Sequence, residues 1–202
     1  MKFLDKKFTQ ETLKLALPVM LTQVGQVSVN LFDNIIVGKL LGAKALASVS
    51  LGNAIFFSIF IFGLGFSLAI PPLVSEAHSQ HNHDRINSVF RHGFVVNLTV
   101  GIILVGLIFG FIPFLPHLGQ PKEILPDTVT FLSIVTLSII PFMMFQTMRE
   151  VSEGLSYTIG VTKATIFANV INIILNYIFI KTFSWGVAGS AWATFIARIC
   201  ML

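Results

Sequence analysis

The sequence predicts an all-α integral membrane protein of six transmembrane helices, and three observations carry that expectation. Of its 202 residues, 54% are hydrophobic and only 11% are charged, against about 25% charged in a soluble domain, and mean hydropathy is +0.85. Uncharged stretches run at 15–32, 45–75, 93–121, 128–148, 164–180 and 182–197, most of them near or above the roughly 17–25 residues that a spanning helix needs. Basic residues also segregate. With the N-terminus cytoplasmic, Lys2, Lys6, Lys7, Lys14, Arg85, Arg91, Arg149, Lys163 and Arg198 fall inside, and Lys39, Lys44, Lys122 and Lys181 outside, which satisfies the positive-inside rule.

The first span, about 13–37, follows a short Lys-rich entry with no small-residue cleavage site, so it reads as a retained helix and not as a signal peptide. Pro18 stands near its start, where a missing backbone donor costs little. Asp33 lies deep in this apolar run, and a charge at the bilayer centre costs about 2.5–3.5 kcal/mol on insertion scales. Such a carboxylate is expected to face protein or an aqueous cavity. At 100° per residue, Gln23, Gln26, Asn30, Asp33 and Asn34 occupy an arc of about 100°, while Val27, Leu31 and Ile35 lie elsewhere. Amides alone serve as glue between membrane helices; a whole polar wall with a carboxylate points to ion coupling.

The second span, about 46–75, carries Asn53 and ends near Pro71 and Pro72, where a kink or break is expected. Residues 76–92 are the most hydrophilic in the chain. His78, His81 and His83 there have a ligand-like spacing, but with no cysteine and no fixed frame the segment reads as a solvated cytoplasmic loop. The third span, about 93–112, offers Gly101, Gly106 and Gly110 for close helix packing. Pro113, Pro116, Pro121 and Pro126 then make a stiff external turn. Pro141 should kink the fourth span, about 128–153, whose end sets Arg149 and Glu153 four residues apart, a spacing suited to an ion pair.

The fifth span, about 162–180, repeats the logic of the first. Thr162, Thr165, Asn169, Asn172 and Asn176 fall within about 80° of arc, which makes a second polar wall. The sixth, about 186–202, carries Thr194 and shows no helix-ending signal after Arg198, so a truncated chain is expected. Cys200 is the single cysteine, which excludes an intrachain disulfide.

Other function classes lack their signatures. The formal charge of +4 and a pI near 9.4 come from scattered residues and give no nucleic-acid-binding face. No P-loop occurs, and Gly63-Leu64-Gly65 inside an apolar helix is not a dinucleotide fingerprint. A membrane-embedded enzyme would need a second buried ionisable partner for Asp33, and the six spans offer none. The expectation is therefore a non-enzyme without organic cofactors.

The residues also resemble a known family. Leu15-Ala16-Leu17-Pro18 through Gln23, Gln26, Asp33 and Gly38, then Leu41-Gly42-Ala43 to Asn53, are similar to the first two helices of the multidrug and toxic compound extrusion (MATE) transporters. Phe90-Arg91-His92-Gly93, Arg149 with Glu153-Gly154, Asn172 and Asn176, and Gly186 to Gly189 with Ala193-Thr194 continue the resemblance along the whole chain. It implies one lobe, the N-terminal half, of a two-lobed twelve-helix antiporter whose C-terminal lobe would be the partner. It further implies a multi-pass protein of the cell (inner) membrane exporting organic, often cationic, drugs in exchange for protons or sodium. Asp33 matches the family's coupling carboxylate, with Asn172 and Asn176 beside it as an ion or sodium site. Gln23, Gln26, Asn30, Asn34, Asn53, Thr165, Asn169 and Thr194 are the cavity-lining candidates. A lipid-linked oligosaccharide flippase of the same superfamily is the alternative; it should carry cavity Arg or Lys for phosphate, and the polar faces of the first and fifth helices have none.

Overall fold

The computed structural model describes the backbone of residues 6–202, with the side chains of 6–12, 14–16, 18, 19, 21–23 and 26 outside the described set. Among the described residues the chain is helical: α1 (Lys6–Leu41), α2 (Ala43–Ser67), α3 (Ile70–Ser79), α4 (His83–Phe111), a 3-10 turn (Ile112–Leu118), α5 (Leu125–Leu137), α6 (Ile139–Gly154), α7 (Ile159–Tyr177), a π turn (Ile178–Thr182) and α8 (Gly186–Cys200). Among the described residues, three runs can cross a membrane by length and composition, Ala43–Ser79, His83–Leu118 and Ile159–Thr182, and the bent pair α5 and α6 makes a fourth when counted as one span. The apolar helix α8 has only 15 residues, short of a full bilayer crossing. The six-span expectation is thus met for three or four spans by this measure.

Proline explains both broken runs. Pro71 and Pro72 sit in the first turn of α3, where absent donors are tolerated, and the break falls immediately before them at Leu68 and Ala69. Pro141 cannot donate to the carbonyl of Leu137 and its ring crowds it; α5 ends at Leu137, and α6 leaves at 43°. Ser138 occupies the corner, its hydroxyl donating to Val135 O at 2.5 Å.

The reading of 76–92 as a loop is corrected. Helix α3 runs to Ser79 and α4 begins at His83, so the connection is only three residues long. Asn82 caps α4 by accepting from Arg85 N at 2.9 Å, and Arg85 makes a two-pronged ion pair with Glu76 at 3.1 Å across the turn. Hydrophilicity here marks solvated helix ends, because a capped and ion-paired end stays helical in water. Of the three glycines expected to pack α4, Gly101 meets Met143 and Ile139, while Gly106 and Gly110 face open space.

The core lies between α2, α4, α5 and α6, around Phe56, Phe60, Ile108, Leu132, Val135, Ile139 and Met143. Helix α1 packs on α7 and α2, and α7 on α8. On α1 the expected division holds: Val27, Leu31 and Ile35 are exposed and Asp33 is buried.

Candidate functional site

The two polar walls meet at Asp33, which is 6% exposed. Asn176, one fully buried residue of α7, donates from Nδ2 to Asp33 Oδ1 at 2.5 Å and to Ser190 Oγ of α8 at 3.3 Å. One turn away, Asn172 Nδ2 approaches Thr194 Oγ1 at 3.4 Å, and Thr194 Oγ1 donates to Ser190 O at 3.1 Å. The amide oxygens of Asn172 and Asn176 are buried with no donor among the described residues. Carbonyl and carboxylate oxygens of this kind are the ligands a hard cation takes. Asp33 forms no salt bridge with any described Lys or Arg.

A cavity of about 440 Å³ opens beside this centre and is lined by Asn30, Asp33, Asn169, Asn172 and Thr194 among the expected residues. Asn34 and Asn53 are half-buried on α1 and α2, and Thr165 is fully buried in α7 with its hydroxyl donating to Val161 O; none of the three is part of the described lining. The side chains of Gln23 and Gln26 lie outside the described residues. Gly25 permits the close approach of α1 and α7, since a Cβ there would stand 3.2 Å from Asn169 Nδ2. His78, His81 and His83 are spread over the end of α3, the turn and the start of α4.

Several cavity groups were not anticipated. Arg198 of α8 stacks over Phe56 at 4.7 Å and Phe142 at 4.8 Å and donates from Nη1 to Ser138 Oγ at 2.6 Å. On α6, Gln146, Arg149, Glu150 and Glu153 also line the cavity. The Arg149–Glu153 pair forms as its spacing predicts, at 2.8 Å. The polar faces of the first and fifth helices carry no Arg or Lys, as expected, but α6 and α8 bring Arg149 and Arg198 into the cavity, and the expectation that the six spans hold no second buried ionisable group is overturned by Arg149 and Glu150. Their signal was present, because Phe142, Gln146, Arg149, Glu150 and Glu153 recur at helical spacing and Arg198 follows Thr194 by four residues. Arg149 and Arg198 also served as sidedness markers, so their place reflects the cavity as well as orientation.

Fold and site together define a helical membrane protein with a buried carboxylate beside a mixed polar and aromatic cavity. The MatE family model matches residues 18–178, and the chain belongs to that family. It is 31% identical over 190 residues to a protein from Acinetobacter baylyi described as "Probable multidrug resistance protein NorM", covering 92% of this chain and 42% of that one. It is 27% identical over 175 residues to "Multidrug resistance protein NorM" of Photobacterium profundum, covering 87% of this chain and 38% of the relative. The fold matches the outward-facing conformation of a multidrug resistance MATE family transporter of the MOP superfamily with a TM-score of 0.83 at 21% identity, over 94% of this chain and 42% of that one. The chain spans about two fifths of the length of these relatives.

Proposed function

We propose that these residues form the N-terminal lobe of a two-lobed multidrug efflux antiporter, which exports organic cations in exchange for protons or sodium ions. The observation that carries the reading is Asp33, buried, hydrogen-bonded by Asn176 and lining an aromatic-walled cavity. In this reading all six helical runs span the cell membrane, with the N-terminus cytoplasmic, and a second lobe completes the pathway. The curated relatives' names support drug efflux, and the coupled ion is inferred from the site chemistry.

Asp33 is the coupling group. A proton on its carboxylate, or a sodium ion held by Asp33 with the free oxygens of Asn172 and Asn176, removes negative charge from the cavity wall. That weakens attraction for a cationic solute and favours its release, while a bound solute disfavours ion uptake for the same electrostatic reason. The aromatic rings of Phe57, Phe60 and Phe142 supply apolar and cation–π contact for flat or bulky cations. The lining carboxylates Asp33, Glu150 and Glu153 outnumber the guanidinium groups of Arg149 and Arg198. Arg149 and Arg198 favour the flippase alternative, but Arg149 is paired with Glu153 and Arg198 is stacked on two phenylalanines and bonded to Ser138, and acid excess suits a cation better than a phosphate.

The test is solute efflux from proteoliposomes holding the protein as its gene encodes it, under an imposed proton gradient and separately a sodium gradient. Asp33→Asn should insert normally and lose gradient-driven efflux by at least about tenfold. Undiminished driven transport would show that the carboxylate is structural.

A further inference from the structure

Glu150 holds a place in the cavity that the Asp33 centre does not account for. Phe142, Gln146 and Glu150 of α6 are spaced four residues apart, so they stand on one helical face over about 12 Å, and all three line the cavity. Glu150 is only 4% exposed and makes no hydrogen bond or ion pair with any described residue. Its neighbouring cation is engaged elsewhere, since Arg149 Nε donates to Glu153 Oε1 at 2.8 Å. The other cavity cation, Arg198, makes its contacts with Phe56, Phe142 and Ser138. One turn from Glu150, Gln146 is 3% exposed and its Oε1 has no donor.

The Glu150 carboxylate, which no described donor reaches, and the buried amide oxygen of Gln146, also without a donor, stand one turn apart, so their burial is only partly compensated. A cation bearing N–H groups, arriving from outside the chain, compensates it at both atoms. Apolar residues Leu64 of α2, Leu68 at the break after it and Met201 beyond α8 line the same space, which suits the hydrophobic body of such a molecule. We infer that Glu150, with Gln146, docks the cationic head of a lipophilic organic cation that carries N–H donors, at a place in the cavity distinct from Asp33 and Asn176. This rests on the cation-efflux reading of the same cavity and deepens it: solute and coupling ion are taken by different carboxylates and influence each other through the field between them.

The test measures binding of ethidium, a fluorescent aromatic cation with N–H donors, to the purified whole protein by fluorescence polarisation, with anilinonaphthalenesulfonate as an anionic control of similar character. Glu150→Gln should weaken ethidium binding about tenfold and Gln146→Leu about threefold, while the anion binds as well or better. Asp33→Asn should lose gradient-driven efflux and lower ethidium affinity through the lost field alone, so that Glu150→Gln added to it still weakens binding about tenfold further. Carbodiimide labelling of Glu150 in the parent, read by mass spectrometry, should be slowed by ethidium, which gives an answer even where a variant misfolds. Ethidium affinity unchanged in Glu150→Gln, or labelling that ethidium does not slow, overturns this inference alone. A parent that binds no ethidium overturns it together with the cation-efflux reading, and a parent that binds ethidium through Glu150 without ion-driven transport overturns only the latter.

Discussion

Replacing Asn176 by alanine and Asp33 by asparagine, singly and together, measures the bond that joins the two polar walls. Asn176 Nδ2 donates to Asp33 Oδ1 at 2.5 Å and to Ser190 Oγ at 3.3 Å. An interhelical hydrogen bond in a helical membrane protein contributes about 0.6 kcal/mol on average and at most about 1.7 kcal/mol. The short bond to a carboxylate belongs near the upper end and the long bond to a hydroxyl near the lower, so Asn176→Ala should destabilise by about 2 kcal/mol. Asp33→Asn keeps an acceptor oxygen and removes a charge whose burial costs about 2.5–3.5 kcal/mol, and should unfold no earlier than the parent. In that background Asn176→Ala loses only a neutral bond, which leaves a coupling energy of about 1 kcal/mol in the double-mutant cycle. Equilibrium unfolding in mixed micelles, followed by the fluorescence of Trp185 and Trp192, provides the four stabilities. A coupling energy within about 0.3 kcal/mol of zero would show that the contact does not join the walls and would refute the derivation of the site.

Two further outcomes are expected. Gly154→Ala should destabilise the protein by about 1–3 kcal/mol, since its Cβ would stand 2.7 Å from Val74 Cβ and 2.9 Å from Pro71 O and so push α3 from α6; Gly110→Ala, facing open space, should leave the same denaturation midpoint. For orientation, cysteine placed at Gln120 should react with an impermeant maleimide applied outside intact cells and cysteine at Asn82 should not, both in a Cys200→Ser background; the reverse pattern would invert the proposed topology.

The helical class and the two polar walls were legible along the chain because the 3.6-residue period puts residues three and four apart on one face. Asn30 and Asp33 on α1, and Asn169, Asn172 and Asn176 on α7, needed no tertiary information to be grouped. Proline chemistry likewise located the breaks at Leu68 and Ser138, where absent donors interrupt the hydrogen-bond ladder. Hydrophilicity misled at 76–92, since a polar segment and a capped, solvated helix end have the same composition.

Which polar atoms touch was decided by the fold alone. Asn176 and Asp33 are separated by 143 residues, and no periodicity chooses Asn176 over Asn172 as the donor. Arg149, Glu150 and Arg198 stand near helix ends, where charged residues ordinarily anchor in the interface; packing of α6 and α8 around the bend at Ser138 turns them into the cavity. Local pattern specifies the face a side chain occupies, because that depends on backbone geometry over a few residues. Contacts between faces depend on crossing angles, bends and side-chain reach, which arise only when distant segments pack together.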